Sequence, residues 1–263
     1  MSAARPETVL ITGASSGIGL ELAKCFAADG SRLVLVARNT PALETLAGEL
    51  RRDFKIEAIV LTADLSLPET PGKIYSDLKG RGIVVDVLVN NAGFGLQGPF
   101  TDLPLLRQLE IIQVNITALT ELTGLFLGGM IERRRGGVLN VGSVAGFVPG
   151  PNMSVYYASK AFVLSFTEAL AEELSGTGLT ITVLCPGPTE SNFGKVARGE
   201  NRRKLNTSKM TSKAVAEAGH LAFRQCKCVA VCGLQNQIAA QLPRIIPRSI
   251  VRKITKFYNR TDD

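Results

Sequence analysis

Short apolar runs alternate with amphipathic stretches over most of the chain. Residues 8–12 are apolar and rich in β-branched side chains, and they enter Gly13-Ala14-Ser15-Ser16-Gly17-Ile18-Gly19. Apolar positions then recur at helical spacing through Leu20, Ala23, Phe26 and Ala27, which predicts strand, tight glycine turn and helix. A second strand is expected over 33–37, closing at Arg38, with Asn39 or Thr40 capping a helix that carries Pro41 in its first turn. The same pattern predicts strands over 56–61, 84–90, 137–141, 179–184 and 229–232, and helices near 41–52, 69–80, 102–134, 154–175 and 211–225. Strands that are apolar throughout and separated by helices imply a parallel sheet covered on both faces by right-handed crossovers. The expectation is one doubly wound α/β domain with a mostly parallel, seven-stranded sheet, and no linker or internal repeat divides it.

Composition narrows the partners. Hydrophobic residues make up 45% and charged residues 20%, the balance of a folded chain. With no Trp and 6% aromatic residues there is no platform for stacking single-stranded bases, so no nucleic acid partner is expected. The first seven residues lack an apolar stretch of signal-peptide length, and nowhere do 18 apolar residues run uninterrupted, which makes the cytoplasm the expected location. Five cysteines, Cys25, Cys185, Cys226, Cys228 and Cys232, stand at irregular spacing without a CxxC pair; they read as buried thiols of a reduced compartment, with no metal. The net charge is +7, concentrated at Arg198, Arg202, Arg203, Lys204 and Lys209 and again at Arg244, Arg248, Arg252, Lys253, Lys256 and Arg260. Such clusters read first as solvated faces.

The candidate chemistry lies in Tyr156-Tyr157-Ala158-Ser159-Lys160. On a helix, Tyr156 and Lys160 share a face four residues apart while Tyr157 points elsewhere. A Tyr ordinarily titrates near 10, and an adjacent cation favours the phenolate and pulls that value down. Upstream, glycines 13, 17 and 19 allow a diphosphate to approach the backbone at a helix N-terminus. Gly13, Ser15 and Gly17 also spell the GxSxG pattern of a hydrolase nucleophile elbow. That reading needs a histidine base, and the one histidine, His220, falls in a late predicted helix. A kinase-type phosphate loop is excluded because no Lys-Ser or Lys-Thr follows the glycines.

Taken together, Thr12 through Gly19, Asp64, Asn90-Asn91-Ala92-Gly93, Asn115, Ser143, Tyr156 with Lys160, and Pro186-Gly187 make residues 7–233 resemble the short-chain dehydrogenase/reductase family in its classical form. Ser143 lies 13 residues before Tyr156, as that family leads one to expect. The resemblance implies a Rossmann-type fold and four catalytic residues. Lys160 would bind the nicotinamide ribose and lower the Tyr156 pKa. Tyr156 would exchange a proton with a carbonyl oxygen that Ser143 polarises, and Asn115 would hold a water beside Lys160. For the cofactor it implies that Gly13, Ser15, Ser16, Gly17, Ile18 and Gly19 hold the diphosphate and that Asp64 and Leu65 frame the adenine. Asn91, Ala92 and Gly93 would line the ribose, and Pro186, Gly187 and Thr189 would flank the nicotinamide. Ser191 stands where relatives usually carry Thr, its hydroxyl reaching the carboxamide or diphosphate. Arg38, with no acid at the end of its strand, points to NADP(H) rather than NAD(H), because an Arg there pairs with a 2′-phosphate.

Outside that constellation, residues 188–212 form a polar, basic stretch with Phe193, Val196, Leu205 and Met210 as its apolar anchors, the expected substrate lid, its charge suited either to solvation or to an anionic substrate. In the extension 234–263, Ile246, Ile250, Ile254 and Phe257 recur at helical spacing among basic residues, an amphipathic helix expected to dock on its own domain or a sister subunit, with a membrane surface as the alternative. The resulting reading is an NADPH-dependent reductase of a ketone or aldehyde. The reverse oxidation of a lipophilic secondary alcohol, steroid or 3-hydroxyacyl, is the alternative, and a non-catalytic NADP(H) sensor or scaffold is the rival of another class. A homodimer or homotetramer is implied by the resemblance, built on the long helices.

Overall fold

A computed structural model of the protein describes residues 5–190, 193 and 209–260. The sheet follows from the apolar runs. Strands β1 (Thr8–Thr12), β4 (Val87–Asn90) and β5 (Gly137–Val141) are buried along their whole length, as strands covered on both faces must be. With β2 (Arg32–Ala37), β3 (Ala58–Thr62), β6 (Thr180–Cys185) and β9 (Val229–Val231) they form a seven-stranded parallel sheet in the order β3-β2-β1-β4-β5-β6-β9. A separate pair, β7 (Thr189–Glu190) with β8 (Met210–Thr211), lies beyond the strand ends.

Alternate strand residues feed two cores, as the two-residue period requires. Val9, Ile11, Leu33, Leu35, Val87 and Val89 pack with Phe26 of α1 (Gly17–Ala28), Leu46 of α2 (Thr40–Phe54) and Phe223 of α7 (Ser212–Arg224). Leu10, Val34, Leu88 and Val138 face the other way, onto Leu78 of α3 (Thr70–Gly80), Phe126 of α5 (Leu119–Arg133) and Leu170 of α6 (Ser154–Glu173). Asn39 makes the cap of α2, its side chain accepting from the Ala42 amide, and Pro41 sits in the first turn.

The chain winds outward from β1 to β3 and then returns to the other side of β1 at β4. This switch point separates the turn after β1 from the turn after β4 and opens a crevice at the carboxyl ends of the strands. The long helix expected over 102–134 is divided: α4 (Leu105–Ile112) passes through a π-helical turn, Gln113–Ala118, into α5. The stretch Leu105–Arg133 is long and apolar enough to cross a membrane, yet Leu122, Phe126 and Met130 are spent on the core. Beyond β9 come α8 (Leu234–Gln241) and α9 (Arg248–Tyr258). Cys185 and Cys232 are buried, and burial pushes the Cys232 thiol to about 11, but Cys25 and Cys228 are half-buried and Cys226 is exposed, which corrects the reading of these three as buried thiols. No cluster of metal-ligating side chains occurs among the described residues.

Candidate active site

The two turns at the switch point are tied to each other. The Asn91 side chain donates to the Thr12 and Gly13 carbonyls at 2.9 and 3.1 Å, and the Thr12 hydroxyl accepts from the Asn91 and Ala92 amides at 3.0 and 3.1 Å. Gly13 and Gly17 hold positive φ angles of 65° and 58°, and a Cβ on Gly13 would stand 2.8 Å from the Asn91 amide nitrogen. Glycine is therefore required at position 13 by conformation and by space. Ser16 begins α1 without a side-chain cap, so the first amides of the helix keep their hydrogen-bonding capacity for an anion. Ser15, Ser16, Gly17 and Ile18 are half-buried along this mouth. Asn91, expected to line a ribose, spends its side chain on the turn.

At the end of β2 the exposed Arg38 guanidinium stands 3.9 Å from the Asp64 carboxylate. Asp64 accepts from the Ser66 amide, and although partial burial pushes the other way, that bond and the nearby guanidinium keep its pKa below the usual carboxylate value. Leu65 is buried beneath it.

The remaining residues converge at the ends of β4, β5 and β6. Lys160 is only 6% exposed and donates to the Val141 carbonyl at 2.7 Å, with its Nζ 5.9 Å from the centre of the Tyr156 ring. Burial pushes its pKa down to about 8. Tyr156 and Lys160 thus share a face as expected, while Tyr157 turns away to donate to the Asn259 side chain at 3.2 Å. Ser143 follows β5 and caps the turn after it, its hydroxyl donating to the Pro186 carbonyl at 3.5 Å and accepting from the Ala145 amide at 3.1 Å, and it lies near enough to Tyr156 to favour the phenolate. The expected lowering of the Tyr156 pKa is not what the free protein shows. Burial pushes the phenol up, Ser143 opposes only in part, and Lys160 is held by Val141.

Asn115 sits in the π turn, buried, donating to the Phe94 carbonyl at 3.0 Å and the Ser159 hydroxyl at 2.9 Å and accepting from the Phe94 amide at 3.2 Å. The widened turn is the local irregularity that aims this side chain across at the β4 loop, a common use of π-bulges. Gly93 runs between the two groups: a Cβ there would lie 3.0 Å from Asn115 Oδ1 and 3.5 Å from Lys160 Nζ. Pro186, Gly187 and Thr189 border the site after β6, the Thr189 hydroxyl donating to the Gly187 carbonyl at 2.9 Å. Ser191 and the expected lid residues Val196, Arg198, Arg202, Arg203, Lys204 and Leu205 lie outside the described residues. Phe193 packs on the Tyr156 ring with centroids 5.0 Å apart.

Two features of the site escaped the sequence. A chain of buried side-chain bonds runs from Thr123 through Asn90 and Asn140 to Thr167, pinning α5 and α6 to the two central strands. Asn259 closes the second: it is 3% exposed, its side chain donates to the Pro151 carbonyl at 3.1 Å, and its carbonyl accepts from Gln97 and Asn152. Nothing local marks a residue that pairs with partners more than 100 positions away. Of the expected stripe Ile246, Ile250, Ile254 and Phe257, Ile246 is half-buried, but the other three are exposed and do not dock α9 on its own domain, as one expectation had it. Val251, Thr255 and Asn259 do, on a neighbouring face of the helix.

A family model described as short chain dehydrogenase matches residues 7–202. A short chain dehydrogenase of Pseudocercospora fijiensis is 40% identical over 192 residues, covering 72% of this chain and 61% of its own. The very-long-chain 3-oxoacyl-CoA reductase of Macaca fascicularis is 32% identical over 196 residues, with 73% and 62% covered. The chain thus spans about three fifths of the length of these curated relatives. Among solved structures, a short-chain dehydrogenase from Sphingobium yanoikuyae in complex with NADPH superposes with a TM-score of 0.80 at 32% identity, covering 92% of this chain and 97% of that one.

Proposed function

The chain belongs to the short-chain dehydrogenase family and is an oxidoreductase, and from that premise we propose that it reduces a ketone or aldehyde to the alcohol with NADPH, Tyr156 giving the proton. The observation that carries this reading is that Lys160 faces Asn115 across Gly93 and stands beside the Tyr156 ring, with Ser143 near the phenol, at the carboxyl edge of the sheet. The glycine turn fits the cofactor diphosphate: Gly17 opens α1 without a Cβ, and the first amides of that helix are uncapped by side chains. Arg38 would take the 2′-phosphate, which the absence of an acid at the end of β2 supports, as does the NADPH complex of the Sphingobium relative. Lys160 would bind the ribose hydroxyls. The nicotinamide supplies the hydride when bound.

For its part, the protein orients and protonates. Ser143 holds the substrate oxygen beside the phenol, and Tyr156 transfers its proton to the oxygen as negative charge develops there. Asn115 fixes the turn that carries Gly93 against Lys160. The 3-oxoacyl thioester named for the Macaca relative supports a lipophilic substrate. Exposed Leu105, Leu106 and Leu109 on α4 support a contact with a second copy. The test is NADPH oxidation against a panel running from short keto esters to steroids and long-chain 3-oxoacyl thioesters. Tyr156→Phe is expected to abolish turnover while NADPH still binds; retained turnover would refute the assignment of the proton donor.

A further inference from the structure

The helix α9 presents three different faces. Val251, Thr255 and Asn259 recur every four residues and seat the helix on the loop 149–152, the Thr255 hydroxyl donating to the Pro149 carbonyl at 2.7 Å. Ile250, Ile254 and Phe257 form a second stripe, exposed by 48%, 56% and 69%, with the Arg260 guanidinium over the Phe257 ring at 4.9 Å. Arg252, Lys253, Lys256 and Arg260 occupy the third face, and all are exposed. Upstream, Leu234, Ile238, Leu242 and Ile245 repeat at spacings of four, four and three and are exposed as well. From Leu234 to Arg260 the sequence carries six cations and no acid, the acids returning only at Asp262 and Asp263. No ion pair among the described residues engages those six.

We propose that α9 docks the protein on an anionic phospholipid surface, its Ile250, Ile254 and Phe257 stripe entering the interface while the flanking Arg and Lys side chains meet lipid phosphates. A solvated face has no use for three large apolar side chains in register, and a two-fold contact between copies would set the cationic face against itself. An anionic bilayer satisfies both faces at once: it takes up apolar side chains at the headgroup boundary and attracts the cations next to them. The docked face stays with the protein throughout, so the surface would hold the loop 149–152, four residues short of Tyr156 at its end, close to the lipid. This surface is independent of the reduction chemistry, and its test reads binding without turnover.

Co-sedimentation of the full chain with phosphatidylcholine vesicles, with and without phosphatidylglycerol, tests the proposal. The expected result is binding at least about ten-fold stronger to the anionic vesicles, weakened by high salt because exposed charges are screened. I254E/F257E and, separately, R252E/K253E/K256E should each remove that preference with an unchanged thermal midpoint, since none of these side chains is buried. Absence of binding to anionic vesicles overturns the proposal, as does binding that both variants keep. A species in sedimentation velocity that I254E/F257E converts to a smaller one, without vesicle binding by the unmodified chain, also overturns it and assigns the stripe to a contact between copies.

Discussion

Asn259→Ala should loosen the C-terminal helix by a calculable amount. The backbone carbonyl of residue 259, which accepts from Gln97 and Asn152, survives the substitution; the two side-chain bonds, from the Tyr157 hydroxyl at 3.2 Å and to the Pro151 carbonyl at 3.1 Å, do not. A buried intramolecular hydrogen bond contributes about 1 kcal/mol net, so the pair is worth about 2 kcal/mol. That corresponds to roughly a 30-fold rise in the population with α9 lifted off. Hydrogen exchange of the 248–258 amides is the assay, because a terminal helix opens locally before the sheet unfolds. Faster exchange confined to α9 and the 149–152 loop, by roughly 30-fold, is expected. Rates within about two-fold of the unmodified chain would refute the reasoning, showing that Val251 and the retained carbonyl bonds suffice.

Arg38→Asp should shift preference from NADPH to NADH, since it removes the guanidinium at the end of β2 and sets a second carboxylate beside Asp64; an unchanged ratio of kcat/KM for the two cofactors contradicts the 2′-phosphate role. Lys160 supplies a pH signature in the cofactor-free protein. Its pKa falls from 10.5 to about 8 on folding, so between those values the unfolded chain binds more protons than the native one, and stability relative to Lys160→Met rises with pH through that window and is flat below it. Urea denaturation at pH about 7.5 and about 9.5 should show the difference moving by about 2 kcal/mol in favour of the unmodified chain, and a difference that falls with pH would mean that the ammonium is not desolvated.

Sequence pattern sufficed for the parts of the fold that local physics dictates. Strands of continuous Val, Ile and Leu have one stable environment, a sheet covered on both faces, and the run 137–141 is observed to the residue. The glycine turn and the Tyr156 and Lys160 spacing are equally local, so their placement was legible. What escaped depends on long-range contact. The π turn at Gln113–Ala118 exists because Asn115 reaches the Phe94 backbone and Ser159, partners that no periodicity within the helix announces. The amphipathic pattern of α9 was legible but its orientation was not, because two of the residues that seat it, Thr255 and Asn259, are polar and bond to backbone carbonyls of a distant loop. A hydrophobic stripe shows which face is costly to hydrate, and here a polar face supplied the better partners.

The same dependence on surroundings sets the protonation state of the site. A general acid must hold its proton at the working pH, and a general base must have lost it. Burial holds the proton on the Tyr156 phenol beyond its ordinary range, with Ser143 the main opposing influence. Lys160 does not counter the burial: its Nζ is bonded to the Val141 carbonyl and stands 5.9 Å from the centre of the Tyr156 ring, and burial disfavours its own ammonium form. The phenol is thus loaded for donation, the state that carbonyl reduction consumes. Alcohol oxidation needs the phenolate, and the ammonium would first have to leave Val141 and approach the phenol oxygen. In the free site the phenol therefore already holds the proton that a general acid must supply, while the direction of net turnover is set by the cellular ratio of the two cofactor forms.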